Sequence, residues 1–220
     1  MRTLDLDSWN SYEEALAECR KAVLADKFAV LPTDTLYGLC ANALSGKAVK
    51  MVNEAKGRGN KPVSIIVSDL VMMRKYAEVP DETASILQEL LPGPCTVLLN
   101  SRWPFPEAIS PDGIVGVRIP HYKFTTTISK QLELPLTATS ANLSGGKSPT
   151  RISDVPAAIL KSAGAIVDGG PTRWGEGSTI IDFTKGCPTI VRRGAQHEFV
   201  SQLLAIAGGK QADPAAPQRL

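Results

Sequence analysis

The chain has 220 residues, 43% hydrophobic and 21% charged, enough for one globular domain that buries roughly 70% of the surface its unfolded form exposes. Lys and Arg total 24 against 22 Asp and Glu, and this net charge of +2 excludes a histone-like or tail-driven nucleic-acid binder, though not a local basic patch. Two histidines, His121 and His197, exclude a multi-histidine metal site, while Cys19, Cys40, Cys95 and Cys187 are too dispersed for a CxxC zinc site and read as thiols of a reducing compartment. No apolar run approaches the ~18 residues of a membrane span, and Asp5 and Asp7 leave no room for a signal core, so a cytoplasmic chain without membrane contact is expected.

Ser11-Tyr-Glu-Glu14 has the form of a capping box, with Leu16, Cys19 and Val23 then recurring on one helical face up to about Ala25. Phe28 to Leu31 is a short apolar strand stopped by Pro32. A helix fits Lys47 to Lys56 with Val49 and Val52 inward, and Val63 to Val67 is a strand. Asp69 and Asp81 read as N-caps of two further helices, the second ending at Leu90-Leu91 before Pro92-Gly93-Pro94. Cys95–Leu99, Val115–Ile119, Leu136–Thr139, Ala165–Asp168, Thr179–Phe183 and Thr189–Val191 are strand-like; helices fit Phe124–Gln131, Val155–Lys161 and Gln196–Ala207. Interleaved strands and helices predict an α/β (α+β) domain over 1–207, its mixed sheet flanked by helices. The stretch 208–220, GGKQADPAAPQRL from Gly208, holds too little apolar surface to pack and is expected to be a loose tail.

Ala141 to Ser148, ANLSGGKS, satisfies a relaxed nucleotide-loop pattern. Such a loop needs a helix starting at the Lys, whose amides hold the anion. Pro149-Thr150-Arg151 follows instead, with no helical period until after Ser153, and Ala141 replaces the first Gly. The expectation is a Gly-Ser loop, or one that touches a ligand in a different way.

Four segments gather polar residues at strand ends, where α/β sheets place ligands. Leu31 to Gly38 carries Thr33, Asp34 and Thr35, as a hydroxyl-rich turn capping a helix or as part of a site. Ala55 to Pro62 holds Lys56, Arg58 and Lys61 spaced by glycines, either as a complement to a helix dipole or as a cradle for polyphosphate or carboxylate. Thr137 to Gly145 offers Ser140 and Asn142, short side chains that cap a turn or orient a ligand. The fourth combines Asp168-Gly169-Gly170, Gly177-Ser178 and Arg192. Arg118, inside an apolar strand, demands an anionic partner. Jointly these residues are rich in cations, hydroxyls and amides and poor in His and Cys, which suits anion binding and stabilisation of charge on phosphoryl oxygens.

PTDTLYGL, the Lys56-Gly-Arg58 cluster, LPGPCTVLL, VGVRIP, TSANLSGGKSPT, DGG, GSTIID and VRRGA occur in the order found in the YrdC-like family of threonylcarbamoyl-AMP synthases. The resemblance covers Tyr12 to Ala207, and the length resembles the short, single-domain form. It implies a twisted, mostly open sheet around a cationic concave site. It also implies condensation of L-threonine, bicarbonate and ATP, with Mg²⁺ and no permanently bound cofactor, to threonylcarbamoyl-AMP and pyrophosphate. A downstream transferase complex would place the product on N6 of adenosine 37 in tRNA. Binding of tRNA or double-stranded RNA without chemistry is the alternative use of such a surface.

By matching motif, Lys56, Arg58, Ser140 and Asn142 resemble the family's polar tetrad. There Lys56 and Arg58 would neutralise charge, and Ser140 and Asn142 would orient phosphate and carbamate. Arg58, Lys61, Ser140, Ser148 and Arg192 resemble ATP-contacting positions, with Arg193 the alternative to Arg192. Thr35, Arg118, Ala138 and Ser178 resemble threonine-contacting ones. Arg118 would take the threonine carboxylate, which would also be its anion. Gly59 stands where many relatives have Pro, and Ile66 near the place of a threonine-contacting His. Lys56→Ala and Arg58→Ala are expected to cut turnover far more than stability.

Overall fold

In a computed structural model, which describes residues 2–6, 8–59 and 61–208, the chain forms ten strands and seven α-helices. The strands are β1 (Leu4–Asp5), β2 (Ala29–Leu31), β3 (Gly38–Cys40), β4 (Ser64–Ile66), β5 (Cys95–Asn100), β6 (Ile114–Arg118), β7 (Leu136–Ser140), β8 (Ala165–Asp168), β9 (Thr179–Asp182) and β10 (Thr189–Arg192). The helices are α1 (Trp9–Leu24), α2 (Gly46–Ala55), α3 (Leu70–Tyr76), α4 (Asp81–Leu90), α5 (Lys123–Leu132), α6 (Ala157–Ser162) and α7 (His197–Ile206). One mixed sheet runs β1-β8-β2-β3-β7-β4-β6-β5-β9-β10. Among its pairs, β1-β8, β8-β2, β4-β6 and β5-β9 are parallel and the rest antiparallel.

Side-chain alternation decides what covers each half. On β2, Ala29 and Leu31 pack with α1 and α5, through Leu16, Cys19, Phe124 and Ile128, while Val30 points the other way onto Val52 of α2 and Ile159 of α6. This half of the sheet is therefore sandwiched. In the other half Ile65, Val97, Val115, Val117, Ile181 and Ile190 face a core completed by Met73, Leu87, Leu90, Val200 and Leu204 of α3, α4 and α7. The alternate residues Ser64, Ile66, Thr96, Arg118 and Ile180 point to the opposite face, which opens into a cavity, and a register shift after Ile190 brings Arg192 to that face as well.

Several expectations shift. The first helix starts three residues before the Ser11 box: Ser8 is the N-cap and its hydroxyl accepts from Ser11 N–H, while the hydroxyl of Ser11, not the carboxylate of Glu14, accepts from Ser8 N–H. Asp69 caps α3 by accepting from Met72 N–H, but Asp81 is the first helical residue of α4 behind Pro80 and caps nothing. The helix expected from Val155 begins at Ala157, after a single 3₁₀ turn at Ile152–Asp154. Leu31 to Gly38 does not cap a helix; it is the hairpin between β2 and β3. Cys19, Cys40 and Cys95 are buried free thiols. The tail expected from Gly208 lies, beyond Gly208 itself, outside the described residues.

Candidate active site

The cavity, of about 280 Å³, opens on the uncovered face of the sheet. Seven adjacent strands, β3-β7-β4-β6-β5-β9-β10, each contribute to it, together with the segment after α2 and the loops around Ser144 and Ser178. The eleven residues that the family resemblance assigns to the site line it, namely Thr35, Lys56, Arg58, Lys61, Arg118, Ala138, Ser140, Asn142, Ser148, Ser178 and Arg192, whereas Asp34 and Asp168-Gly169-Gly170 do not. Their spread over the chain, from Thr35 to Arg192, is closed by register. Gly38 stands opposite Ser140, Ser64 opposite Ala138, and Thr96, Ile180 and Arg192 form one row across three strands. Arg193 is exposed and does not line the cavity, whereas Arg192 does. Ile66 lies in the lining, and neither His121 nor His197 does.

Lys56 follows the last turn of α2 and is buried, 4% exposed. Its ammonium donates to the carbonyl of Ser140, to the carbonyl of Asn142 at 2.8 Å and to Asn142 Oδ1 at 3.3 Å. Three donors meet three acceptors, so Lys56 fastens the end of β7 to α2 and adds charge to the cavity wall. Burial, and secondarily Arg58, lowers its pKa to about 8. Asn142 is equally engaged: Oδ1 also accepts from the Ser140 hydroxyl, and Nδ2 donates to Leu143 O at 3.0 Å and Gly146 O at 2.7 Å. These bonds shape 142–146 into a turn, and no helix starts at the exposed Lys147, so the phosphate-loop reading of ANLSGGKS is excluded. Ser144, Gly145 and Ser148 of the same loop still reach the cavity.

Arg58 is held at its terminal nitrogens, donating to Thr139 Oγ1 at 2.9 Å and Pro62 O at 2.7 Å. Its Nε is buried without a partner. Arg118 is arranged alike: Nη2 donates to Asp34 Oδ1 at 3.1 Å and Thr35 Oγ1 at 2.9 Å, and Nε is a second buried, unpartnered donor. The anion that Arg118 requires is therefore supplied from within the chain, by Asp34, rather than by a substrate alone. Arg192 donates to Ser178 O at 2.9 Å and to Ser178 Oγ at 3.2 Å, and that hydroxyl pairs with Thr96 Oγ1 at 2.7 Å. Burial lowers the pKa of both Arg58 and Arg192, and Arg118 adds to the effect on Arg192.

Five cations thus line one cavity, and among the described residues only Arg118 of the five has an ion-pair partner. Concentrated positive charge beside neutral hydroxyls is a receptor for several anionic groups at once. The Cys40 thiol in the wall is pushed up to about 12 by burial and stays protonated, so it is no nucleophile. Among the described residues no three His, Cys, Asp or Glu gather to hold a metal ion. The sequence reading misses Thr96, whose hydroxyl sits in an otherwise apolar strand, and the pairing of Asp34 with Arg118, which nothing local signals.

Comparison with known proteins agrees with this architecture. The Sua5/YciO/YrdC family model, described as telomere recombination, matches residues 21–194. A Methanocaldococcus jannaschii protein provisionally named a threonylcarbamoyl-AMP synthase is 37% identical over 183 residues, 83% of this chain and 86% of its own. A Pyrococcus abyssi threonylcarbamoyl-AMP synthase is 37% identical over 172 residues, 76% of this chain. The match takes in 50% of that relative, so the chain spans about half its length. A crystal structure of Pyrococcus abyssi Sua5 complexed with L-threonine superposes with a TM-score of 0.86 at 31% identity, covering 98% of this chain and 63% of the other. A family match across most of the sequence and a superposition over nearly the whole fold leave one assignment: the chain belongs to the Sua5/YciO/YrdC family.

Proposed function

We propose that this chain is an L-threonylcarbamoyladenylate synthase, joining L-threonine, bicarbonate and ATP. The observation that carries the proposal is the single cavity in which Lys56, Arg58, Lys61, Arg118 and Arg192 converge with Ser140, Ser148 and Ser178. A triphosphate, a carboxylate and bicarbonate are all anions, and this lining matches all three. The L-threonine in the Pyrococcus abyssi complex supports the amino acid, and the names of the relatives support the product.

In this reading Arg118, Thr35, Ser178 and the Ala138 backbone hold threonine, with the Arg118 guanidinium taking its carboxylate. Arg58, Lys61, Ser140, Ser148 and Arg192 hold the phosphates. Lys56 and Asn142 act by fixing the turn that presents Ser140, and Lys56 adds charge. The threonine amine attacks the bicarbonate carbon and water leaves, giving a carbamate. A carbamate oxygen then attacks the α-phosphorus, and pyrophosphate departs with the bonding pair. Holding three reactants together removes most of the entropic barrier. The fixed cations stabilise charge on the phosphoryl oxygens without reorganising. Magnesium, arriving with the nucleotide, would supply neutralising charge to the phosphates. The product then serves a cytoplasmic transferase complex that modifies tRNA, and 1–207 acts as the catalytic domain.

Pyrophosphate release from MgATP, measured with and without L-threonine and with bicarbonate in both, tests the proposal. Threonine-dependent release is expected. Release of ADP and phosphate independent of threonine, or no release from folded protein, would overturn it.

A further inference from the structure

Arg118 and Asp34 are the only ion pair among the described residues in which both side chains are largely buried, 11% and 1% exposed respectively. Asp34 does not line the cavity; it sits one layer behind Arg118. Its two oxygens work in different directions. Oδ1 accepts from Arg118 Nη2 at 3.1 Å, and Oδ2 accepts from the backbone N–H of His121 at 3.0 Å, just past the end of β6. The backbone carbonyl of Asp34 accepts from Trp174 N–H at 3.1 Å, which ties the same residue to the loop before Ser178. Thr35 completes the clamp, its hydroxyl accepting from Nη2 at 2.9 Å and pairing with the Thr33 hydroxyl at 3.0 Å.

A guanidinium is a planar group, and fixing one terminal nitrogen by two acceptors fixes the direction of the remaining N–H vectors. The Nε left over is buried and unpartnered.

We propose that Asp34 is a positioning residue for the amino-acid substrate: it holds the Arg118 guanidinium in the orientation that meets the substrate carboxylate. The inference rests on the reading that Arg118 receives the carboxylate of threonine. It implies that Asp34 governs amino-acid affinity and leaves nucleotide affinity alone, because its bonds reach Arg118 and not Arg58 or Lys61.

Asp34→Asn tests it, since the amide keeps the size of the carboxylate and removes its charge. In calorimetric titration with L-threonine and, separately, with MgATP, threonine affinity should fall by about tenfold to a hundredfold, the range for losing a charge-assisted bond. MgATP affinity and melting temperature should stay close to wild type, and KM for threonine should rise more than kcat falls. In an Arg118→Met background, Asp34→Asn should cause no further loss of threonine affinity and should raise the melting temperature by relieving a stranded carboxylate. If the single asparagine variant does not fold, that charge-balanced double variant, compared with Arg118→Met, carries the test. Unchanged threonine affinity in Asp34→Asn, or equal loss of threonine and MgATP binding, overturns the inference. A further loss in the Arg118→Met background does so as well. Wild-type protein that binds no threonine would instead remove the reading beneath it, which keeps the two failures apart.

Discussion

Lys56 illustrates how a residue that the sequence marks as a ligand group does its work through the protein. The sequence reading puts its charge on the substrate and makes Lys56→Ala an activity variant alone. The three bonds to Ser140 and Asn142 change that expectation, because truncation strands two carbonyls as well as removing charge. Its lowered pKa sets two opposite pH dependences. The unfolded chain keeps the proton up to the ordinary lysine value of 10.5, whereas the folded chain releases it near 8, so between these values the unfolded state binds more protons and stability rises with pH. The same deprotonation removes a cation and a donor from the cavity wall, so ATP affinity falls as pH passes 8. Titrating MgATP alone keeps the threonine amine out of the measurement. Wild type should bind more weakly above pH 8 than below it, and Lys56→Met should bind weakly with no step there. An equal step in the variant would assign the titration to another group.

At the scale of elements, the long periodic helices and apolar strands were legible, and short or wholly buried pieces were not. β3 has three residues, all buried and one of them Gly, so it shows neither alternation nor β-branched enrichment. β1 has only two residues. The start of α1 was misplaced because Glu14 completes the usual capping pattern, while Ser8 and Ser11 satisfy each other with hydroxyls instead. Gly194, in the last motif, marks a close backbone approach. A Cβ on Gly194 would stand 2.2 Å from Gly177 O and 2.6 Å from Ser178 O, and neither carbonyl yields without moving the segment that presents Ser178 to Thr96 and Arg192. Gly194→Ala should therefore cost about 1–3 kcal/mol, typical of overpacking, and weaken threonine binding in step. Gly59→Ala, with nothing within 4 Å of its Cβ, should leave the melting temperature unchanged. Thermal melts and threonine titration of the pair check this, and a tolerated Gly194→Ala would mean that the seam carrying Ser178 is not tightly set.

At the scale of the molecule, the cavity is the place where both halves of the sheet meet. The sandwiched half supplies β3, the half covered on one face supplies β4, β5, β6, β9 and β10, and β7 joins them. The site residues were legible because they fall in or beside a few distinct motifs, but the common location of those motifs depends on a strand order that no local pattern encodes. Four of the five cations there lack an ion-pair partner among the described residues, so the empty-handed fold holds mutually repelling charge that an anionic ligand neutralises. MgATP at a hundred times its dissociation constant should then stabilise the folded state by about 2.7 kcal/mol through mass action alone. For a chain of this size that is a rise of roughly 5–10 °C in melting temperature. Arg58→Ala separates function from stability here. Its two bonds, to Thr139 and Pro62, tether the side chain rather than the core, and its removal relieves repulsion on Lys56. The variant should melt close to wild type without nucleotide and lose most of the MgATP-induced rise, as differential scanning fluorimetry would report. A full rise in Arg58→Ala would remove Arg58 from the phosphate site. A collapse of its nucleotide-free melting temperature would make it a structural strut instead, because a residue held in place for the ligand can be deleted at little cost to the fold, whereas a strut cannot.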